Sequence, residues 1–322
     1  MAVTKIADVI QPELFAQYVI DKTTEKSEIM NAGVVENNAE LNRLITGGGT
    51  ILTMPKWNDL SGKSQVLDDT NPITVSNITS KSELATLLIR ANAWGAHELA
   101  GALAGDDPMR AIAERVADWW VRDEKSNIMS ILNGVFASAS MSGLVSDITS
   151  ATDPKISANA VLDAKQLMGD ASDLLTMIYM HSATFTELQK QNVIQFIPVA
   201  ESKIQIPTYL GYRVVCDDSA PVDTSGSAPK YTTYLLARGA IQRGMGTPVS
   251  LTSVETDRDS LGSTDYLINR QAKVLHPKGI SWVGGANIAG ATPSDTELAT
   301  GTNWNRVSDI KKIGMVKLVH TL

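Results

Sequence analysis

The sequence predicts an α+β protein in which one long helix lies between two groups of strands. An amphipathic helix pattern of unusual length follows Asp107-Pro108, and short apolar runs of strand length occur on both sides of it. No internal repeat at a fixed period is visible, which argues against solenoids and propellers. With 322 residues, of which 43% are hydrophobic and 20% charged, the chain can bury a sizeable core. We therefore expect two ordinary domains or one elaborated domain.

The first 45 residues are predicted to form an N-terminal arm. Between Glu13 and Met30, isolated apolar residues mix with a charged stretch, which is typical of a helix lying on another surface. The start, MAVTKIADVIQPE, has an acid where a signal peptide would continue its apolar region. No run approaches the roughly 20 apolar residues of a membrane span. We expect a cytosolic product.

Residues 46–93 are predicted to form a long projecting hairpin. The triplet Gly47-Gly48-Gly49 permits a sharp turn before a strand-like run, Thr50 to Met54. The segment from Asn58 to Ser80 is rich in turn-forming residues, and Leu84 to Ala93 returns with alternating polar and apolar positions. Such a hairpin cannot bury its own surface.

The long helix is predicted to begin at Pro108, after an aspartate that caps its free N–H groups. From Pro108 to Leu132 it would be on the order of 38 Å long, and Asn133-Gly134 is predicted to end it. Trp119 and Trp120 are expected to combine core packing with an interface edge. The apolar positions of the long helix recur at three- and four-residue spacing: Met109, Ile112, Val116, Trp119, Trp120, Ile128, Ile131, Leu132 and Val135.

A second, α/β-like unit is predicted after this helix. Ser157 to Met168 and Ser182 to Lys190 have helical patterns, and Leu174 to Met180 is typical of a buried strand. The tail after Gly284 gives no clear pattern. Further strands are predicted at Ile204–Pro207, Tyr212–Cys216, Tyr231–Ala237, Val249–Asp257 and Asp265–Leu275.

Glycine-rich motifs give no convincing nucleotide site. Gly62-Lys63-Ser64 resembles the end of a phosphate-binding loop, but Trp57 stands where the motif requires glycine. Gly244-Met245-Gly246 begins a dinucleotide-like pattern that fails at Val249, and we interpret it as a backbone turn.

Catalytic and metal-binding patterns are equally weak. The four histidines, His97, His181, His276 and His320, lack zinc-ligand spacing. His181-Ser182 could supply a base and a nucleophile, although Ser182 better suits a helix N-cap. The single cysteine, Cys216, fits a reducing compartment and is predicted to be buried. We name no catalytic, metal-binding or cofactor-binding residue and no cofactor.

The formal net charge of −7 disfavours tight wrapping of nucleic acid, because phosphate binding requires clustered cations. Enclosing DNA without tight phosphate contacts is compatible with this charge. The acid pairs Asp68-Asp69, Asp106-Asp107 and Asp217-Asp218 are interpreted as solvated turns rather than metal or acid/base dyads.

Several phrases, taken in order from Val9 to Trp282, resemble one family. These are VIQPELFAQYV, GGGTILTMPKWNDLSG, ELAGALAGDDPMRAIAERVADWW, NGVFA, MHSATFTEL, IPTYLGYRVV, YTTYLLARGAI, VETDRD and VLHPKG. Together they resemble the major capsid proteins of tailed bacteriophages that have the Hong Kong 97-like fold. The resemblance implies hexamers and pentamers that close into an icosahedral head shell around double-stranded DNA, assembled in the bacterial cytoplasm.

The resemblance also implies a division of the chain. It assigns 1–45 to an N-terminal arm, 46–93 to an extended loop over a neighbouring subunit, and 94–149 to a peripheral domain with a spine helix. Residues 150–248 become an axial domain, and 249–322 return to the peripheral domain and a C-terminal segment. Because the spine helix begins near residue 107, we expect a separate scaffolding protein, beside a portal protein and, as an option in this family, a decoration protein.

Five residues of the hairpin are candidates for the subunit interface, in addition to Trp119 and Trp120. Trp57 and Leu60 would supply apolar contacts, and Lys63, Asp68 and Asp69 would supply charge partners. Each has an equal claim to be an ordinary exposed loop residue.

Two alternatives stay open. A cellular nanocompartment shell would share the fold and enclose an enzyme cargo; neighbouring genes for portal, scaffold and terminase would decide against it. A more distant alternative is an α/β hydrolase-like enzyme, which would need His181 and Ser182 as a positioned base and nucleophile.

Overall fold

The computed structural model describes residues 32–58, 60, 62–66, 74–99, 108–191, 194–198, 205–226, 228–248 and 250–322. The bounded helices are α1 (Ala39–Thr46), α2 (Pro108–Ala137), α3 (Ala158–Gln166), α4 (Ser182–Lys190) and α5 (Asp295–Leu298). The strands are β1 (Val35–Asn37), β2 (Ile51–Trp57), β3 (Ser80–Thr86), β4 (Leu88–His97), β5 (Val145–Asp147), β6 (Leu175–Met180), β7 (Ile194–Pro198), β8 (Gln205–Tyr209), β9 (Tyr212–Cys216), β10 (Val222–Asp223), β11 (Lys230–Ala237), β12 (Ile241–Gly246), β13 (Val254–Asp259), β14 (Thr264–Pro277), β15 (Ile280–Trp282), β16 (Trp304–Arg306) and β17 (Met315–His320). No helix among these residues combines the length and apolar character needed to cross a bilayer.

Two mixed sheets organise the described residues. The five-stranded sheet has the order β1-β12-β14-β13, and β4 pairs with the other edge of β14. The eight-stranded sheet has the order β5-β17-β11-β6-β9-β8-β7, with β10 on β11. Strands and helices therefore share the core, and the α+β prediction is confirmed. The helix, strand and helix predicted between residues 157 and 190 are also confirmed, as α3, β6 and α4.

The long helix α2 runs for 30 residues, from Pro108 to Ala137, or about 45 Å. The predicted stop at Asn133-Gly134 is wrong, because the helix continues through both residues. A Cβ atom on Gly134 would overlap the carbonyl oxygen of Leu298 and the Trp304 ring. The glycine is therefore needed for close packing in mid-helix and not for a helix end. The aspartate predicted to cap this helix lies outside the described residues.

One turn of α2 is bound to the five-stranded sheet by two adjacent acids. Asp123 accepts from the fully buried Lys273 Nζ on β14 at 2.7 Å. Glu124 faces Arg243 on β12, whose Nη2 donates to Oε2 at 2.9 Å and whose Nε lies 2.7 Å from Oε1. Glu124 and Arg243 are almost completely buried, so neither charge has solvent as an alternative partner.

The next residue of the same turn reaches the other sheet. Lys125 forms an ion pair with Asp217, which directly follows β9. Burial would raise the pKa of Asp217, but hydrogen bonds from Lys125 and from the Ser219 N–H outweigh it and lower that pKa. Three consecutive side chains of α2 thus fix both sheets to one helix.

The predicted hairpin is present but shorter than expected. β2 and β3 pair antiparallel from Ile51↔Thr86 to Trp57↔Ser80. The return strand is Ser80–Thr86, whereas the predicted return over Leu84 to Ala93 falls mainly in β4, which pairs with β14. The two strands follow each other across a single residue, Leu87, and period-two alternation cannot separate them.

Part of the predicted N-terminal arm packs into the subunit. Helix α1 lies on β12, where the buried side chains of Leu41 and Ile45 face Gly244 and Gly246. The interpretation of Gly244-Met245-Gly246 as a turn is wrong, because these residues lie within β12. A Cβ atom on Gly244 would approach Leu41 Cβ to 2.7 Å, so the glycines make room for the helix. The arm before residue 32 lies outside the described residues.

The chain passes from one sheet to the other within two of the implied regions. β12, which falls in the region 150–248 implied to be axial, pairs with β14 of the five-stranded sheet. The C-terminal strand β17, in the region 249–322, lies between β5 and β11 of the eight-stranded sheet. Long-range strand pairing of this kind leaves no local mark in the sequence.

Candidate subunit-interface surfaces

The projecting hairpin exposes large apolar side chains. Trp57 at the end of β2 is 68% exposed, and Leu60 is 78% exposed. Lys63 is also exposed, whereas Asp68 and Asp69 lie outside the described residues. Together with Val66, Val75 and Ile78, Trp57 and Leu60 define what we call the hairpin surface. Apolar exposure of this kind on a projection makes the hairpin surface a candidate for contact with another molecule.

Hydrogen bonds keep the two branches of the hairpin together beyond the strands. The Asn58 N–H donates to the Thr79 carbonyl at 2.9 Å, and Asn58 Nδ2 donates to Thr79 Oγ1 at 2.6 Å. Further out, Gln65 and Thr74 exchange two bonds of 2.8 Å. The branches therefore project as one two-stranded unit.

A buried carboxylate fixes the base of the hairpin to the body of the subunit. Glu83 on β3 accepts from Lys56 Nζ at 2.7 Å and from the Gly279 N–H at 3.2 Å, and His276 Nε2 lies 3.3 Å away. Burial would raise the pKa of Glu83, but the bonds from His276 and Lys56 lower it to about 2. Sequence reasoning missed this residue, because a lone Glu in an alternating strand carries no signal of burial.

A cavity of about 410 Å³ opens beside this base, between the hairpin and the segment around Ser308. We call it the basal pocket. Lys81 is exposed and Arg306 half-buried on its wall, and Asp309 Oδ1 accepts the Lys311 N–H at 3.0 Å. The lining is mostly polar and cationic: Lys56, Trp57, Asn58, Lys81, Arg306, Val307, Ser308, Asp309 and Lys312.

The tryptophan pair on α2 has one core member and one surface member. Trp120 is fully buried, so its assignment as an interface candidate is corrected: its position on the helix faces Val254 and Leu267 of the five-stranded sheet. Trp119 is half-buried and packs edge-to-face on Trp94, with ring centroids 5.4 Å apart. Trp119 remains an interface candidate.

His181 and Ser182 form a helix cap. The prediction that Ser182 caps α4 is wrong, since His181 Nδ1 accepts the Ala183 N–H at 3.0 Å. Ser182 Oγ lies 3.5 Å from the same nitrogen, and its hydrogen bond to Asp218 lowers the pKa of that carboxyl. Because the backbone occupies the lone pair of Nδ1, this nitrogen is not placed to act as a base toward Ser182.

Cys216 lies at the end of β9 and is exposed, which corrects the prediction that it is buried. Tyr212, Val214 and Val215 of β9 are buried, whereas Cys216 is exposed as the last residue of the strand. Within the described part of the chain, no group of three or more His, Cys, Asp or Glu residues could hold a metal ion.

Comparison with known proteins gives one family. The protein-family model described as "Gp13-like: Major capsid protein 13-like" matches residues 107–315 of the chain. The chain is 46% identical over 325 residues to the major capsid protein of Bacillus phage SPP1, covering 100% of this chain and 99% of that protein.

Solved phage capsids share the fold at low sequence identity. The capsid of Ralstonia phage GP4 aligns with a TM-score of 0.59 at 9% identity, covering 91% of this chain and 88% of its own. The capsid subunit of cyanophage Pam1 aligns with a TM-score of 0.57 at 11% identity, covering 93% and 92%. The fold of mixed helices and strands is therefore Hong Kong 97-like, and the chain belongs to the Gp13-like family of tailed-phage major capsid proteins.

Proposed function

We propose that copies of this chain form hexamers and pentamers that close into an icosahedral head shell around double-stranded DNA. In this shell the projecting hairpin reaches over a neighbouring subunit. The observation that carries the proposal is the hairpin surface, on which Trp57 and Leu60 are exposed without a core of their own. The free energy falls when a second subunit removes such side chains from water.

The charges of the chain favour a shell that encloses DNA over one that binds the DNA phosphates tightly. The formal net charge is −7, and several cations pair with carboxylates of the same chain, such as Arg243 with Glu124 and Lys273 with Asp123. Phosphate contacts release counterions only where cations cluster and stay available. We propose that the packaged DNA is enclosed without sequence-specific binding.

We assign no catalytic activity to the chain. The relatives are structural proteins of phage heads, and His181 Nδ1, the nitrogen nearest to Ser182, is engaged by a backbone N–H. The proposal also includes a separate scaffolding protein, a portal protein, an optional decoration protein and assembly in the cytoplasm of the bacterial host. A head that packages DNA needs an entrance, which a portal protein would supply, and a scaffolding protein would set the curvature of the shell during assembly.

A cellular nanocompartment, the alternative function, would be built from the same subunit contacts and would differ in what its shell encloses. Its shell would enclose an enzyme cargo and would assemble without portal, scaffold or terminase genes. Genes for portal, scaffold and terminase beside this one would favour the phage head.

Negative-stain electron microscopy of the protein, expressed alone and together with its neighbouring genes, tests the proposal. Closed shells, tubes or rings of capsomers are the expected result. A monodisperse monomer or dimer under both conditions would contradict it. Shells that co-purify with an enzyme in place of DNA would favour the nanocompartment.

A further inference from the structure

The basal pocket contains two cations without an anionic partner. Lys56 is engaged by Glu83, but in the described part of the chain no carboxylate lies within ion-pair distance of Lys81 or Arg306. Trp57 and Val307 add an apolar wall beside these cations. A volume of about 410 Å³ is large enough to admit side chains of another molecule.

The tip of the β13–β14 hairpin has the opposite character. Among the described strands, β13 pairs only with β14, so its outer edge is open. Asp257 and Asp259 are exposed and, two residues apart on a strand, lie on one face. Their carboxylates accept only backbone N–H groups of this segment, from Arg258, Leu261 and Gly262.

The other charges of this tip are already compensated. Arg258 pairs with Glu98 at 2.8 Å and with Asp265 at 3.5 Å, and Arg270 pairs with Glu255 at 3.0 Å. Leu261, in the connecting loop, is fully exposed. Two unpaired anions and one apolar side chain therefore occupy the end of the hairpin.

The two surfaces lie at opposite ends of one strand. β14 begins at the acidic tip with Thr264 and ends at Pro277; near that end His276 contacts Glu83 beside the basal pocket. Thirteen steps of about 3.3 Å separate these ends by roughly 43 Å. The tip and the pocket of one subunit therefore cannot meet.

We propose that the β13–β14 tip of one subunit docks in the basal pocket of a second copy. Lys81 and Arg306 face Asp257 and Asp259 in this contact, and Leu261 packs against Trp57 and Val307. The inference rests on the proposed self-assembly. Because the contact joins two different patches, it is heterologous and repeats from copy to copy, as rings and closed shells require.

A second copy fits the pocket better than nucleic acid does. A phosphate backbone would satisfy the two cations but would leave Trp57 and Val307 without an apolar partner. The chain is acidic overall, and in a shell the most abundant acidic surface beside each subunit is another copy of the same chain. Lys81 and Arg306 in the pocket also match Asp257 and Asp259 on the tip in number and are opposite to them in sign.

A charge exchange tests the contact. Lys81→Glu with Arg306→Gln changes the pocket by three charges, and Asp257→Lys with Asp259→Asn changes the tip by three in the opposite direction. Asparagine at 259 keeps the oxygen that accepts the turn N–H groups. Each pair of changes should lower the yield of assembled particles by about tenfold or more, and all four together should restore it. Sedimentation velocity and negative-stain microscopy measure the yield.

Controls separate the contact from folding and from the proposed function. Arg43→Glu with Lys278→Gln carries the same charge change at exposed positions outside both surfaces and should assemble normally. Lys81→Glu alone, at an exposed position, should lose assembly with an unchanged circular dichroism spectrum. Wild-type protein that forms no particles would count against the proposed function itself.

Two results would overturn the inference while leaving the shell function standing. One is wild-type yield from either pair of changes. The other is reduced binding of double-stranded DNA in a gel shift by the pocket variant, together with normal assembly, which would assign the pocket to nucleic acid.

Discussion

Trp57 and Trp120 are the same residue type in opposite settings. Trp57 stands at the end of β2 with two thirds of its surface in water, whereas Trp120 is sealed between α2 and the five-stranded sheet. The helix stabilises the subunit, and the hairpin presents apolar area that the subunit does not use for itself. The difference teaches that folding and assembly draw on separate sets of side chains, so that mutations can separate them.

The base of the hairpin, like the helix, has side chains that are buried within the subunit. Leu52 and Ala85 are buried against Leu41 and Ile45, and Glu83 is held by Lys56 and His276. Among the described residues of the hairpin, those beyond Trp57 and before Ser80 pack into none of the hydrophobic clusters. The boundary between folding residues and assembly residues therefore runs across the hairpin.

The largest expected effect is that of Trp120→Ala. Removing this buried ring leaves a cavity and should lower the free energy of unfolding by about 3–5 kcal/mol, a large part of the roughly 5–15 kcal/mol typical of folded proteins. Urea denaturation followed by circular dichroism measures the change. An unchanged midpoint would mean that α2 is not packed as described.

Glu124→Gln should destabilise the subunit nearly as much. It removes the carboxylate that forms an ion pair with the buried Arg243, at a cost of about 3–5 kcal/mol. The double change Glu124→Leu with Arg243→Met, which removes both charges, should lie closer to wild type in the same urea titration. A double variant less stable than the single one would refute the buried-charge explanation.

Glu83 should give the hairpin base a dependence on pH. Because its folded pKa is lowered to about 2 from 4.5, the stability it contributes is fully present above about pH 4.5 and is lost as pH falls toward 2. The contribution is on the order of 3 kcal/mol. Glu83→Gln should flatten the dependence of unfolding on pH between about 5 and about 3, whereas Asp163→Asn, at an exposed position, should leave it unchanged.

Trp57→Ala should have the smallest effect on the isolated subunit. The side chain is mostly in water, so its loss should change the free energy of unfolding by no more than about 0.5 kcal/mol. Assembly, measured by sedimentation, should nevertheless fall sharply, while Leu174→Ala, another exposed apolar change, should not impair it. An unfolded Trp57→Ala protein would refute the separation of the two regions.

Local patterns were enough to predict α2, β6, α4 and the hairpin, because each has a strong periodicity or clear turn residues. Gly134 was misinterpreted because a helix stop and a close contact call for the same residue. The close contact is with Leu298, which lies far from Gly134 in the sequence.

The interface candidates show the same limit. Exposure of Trp57 and Leu60 agreed with the hairpin prediction, but Trp120 could not be distinguished from Trp119, since both fall on one amphipathic stripe. Glu83 and the basal pocket were missed because Lys56, His276 and Arg306 come together only through strand pairing.

The 14-residue strand β14 has a mechanical consequence. It is hydrogen-bonded to β4 along one edge and to β12 and β13 along the other. A pull along β14 loads these bonds in shear, so many must break together, whereas a pull across the sheet would open them one by one. In the contact that we propose, neighbours hold the subunit at the two ends of β14, so tension between copies would act along the stronger direction of the sheet.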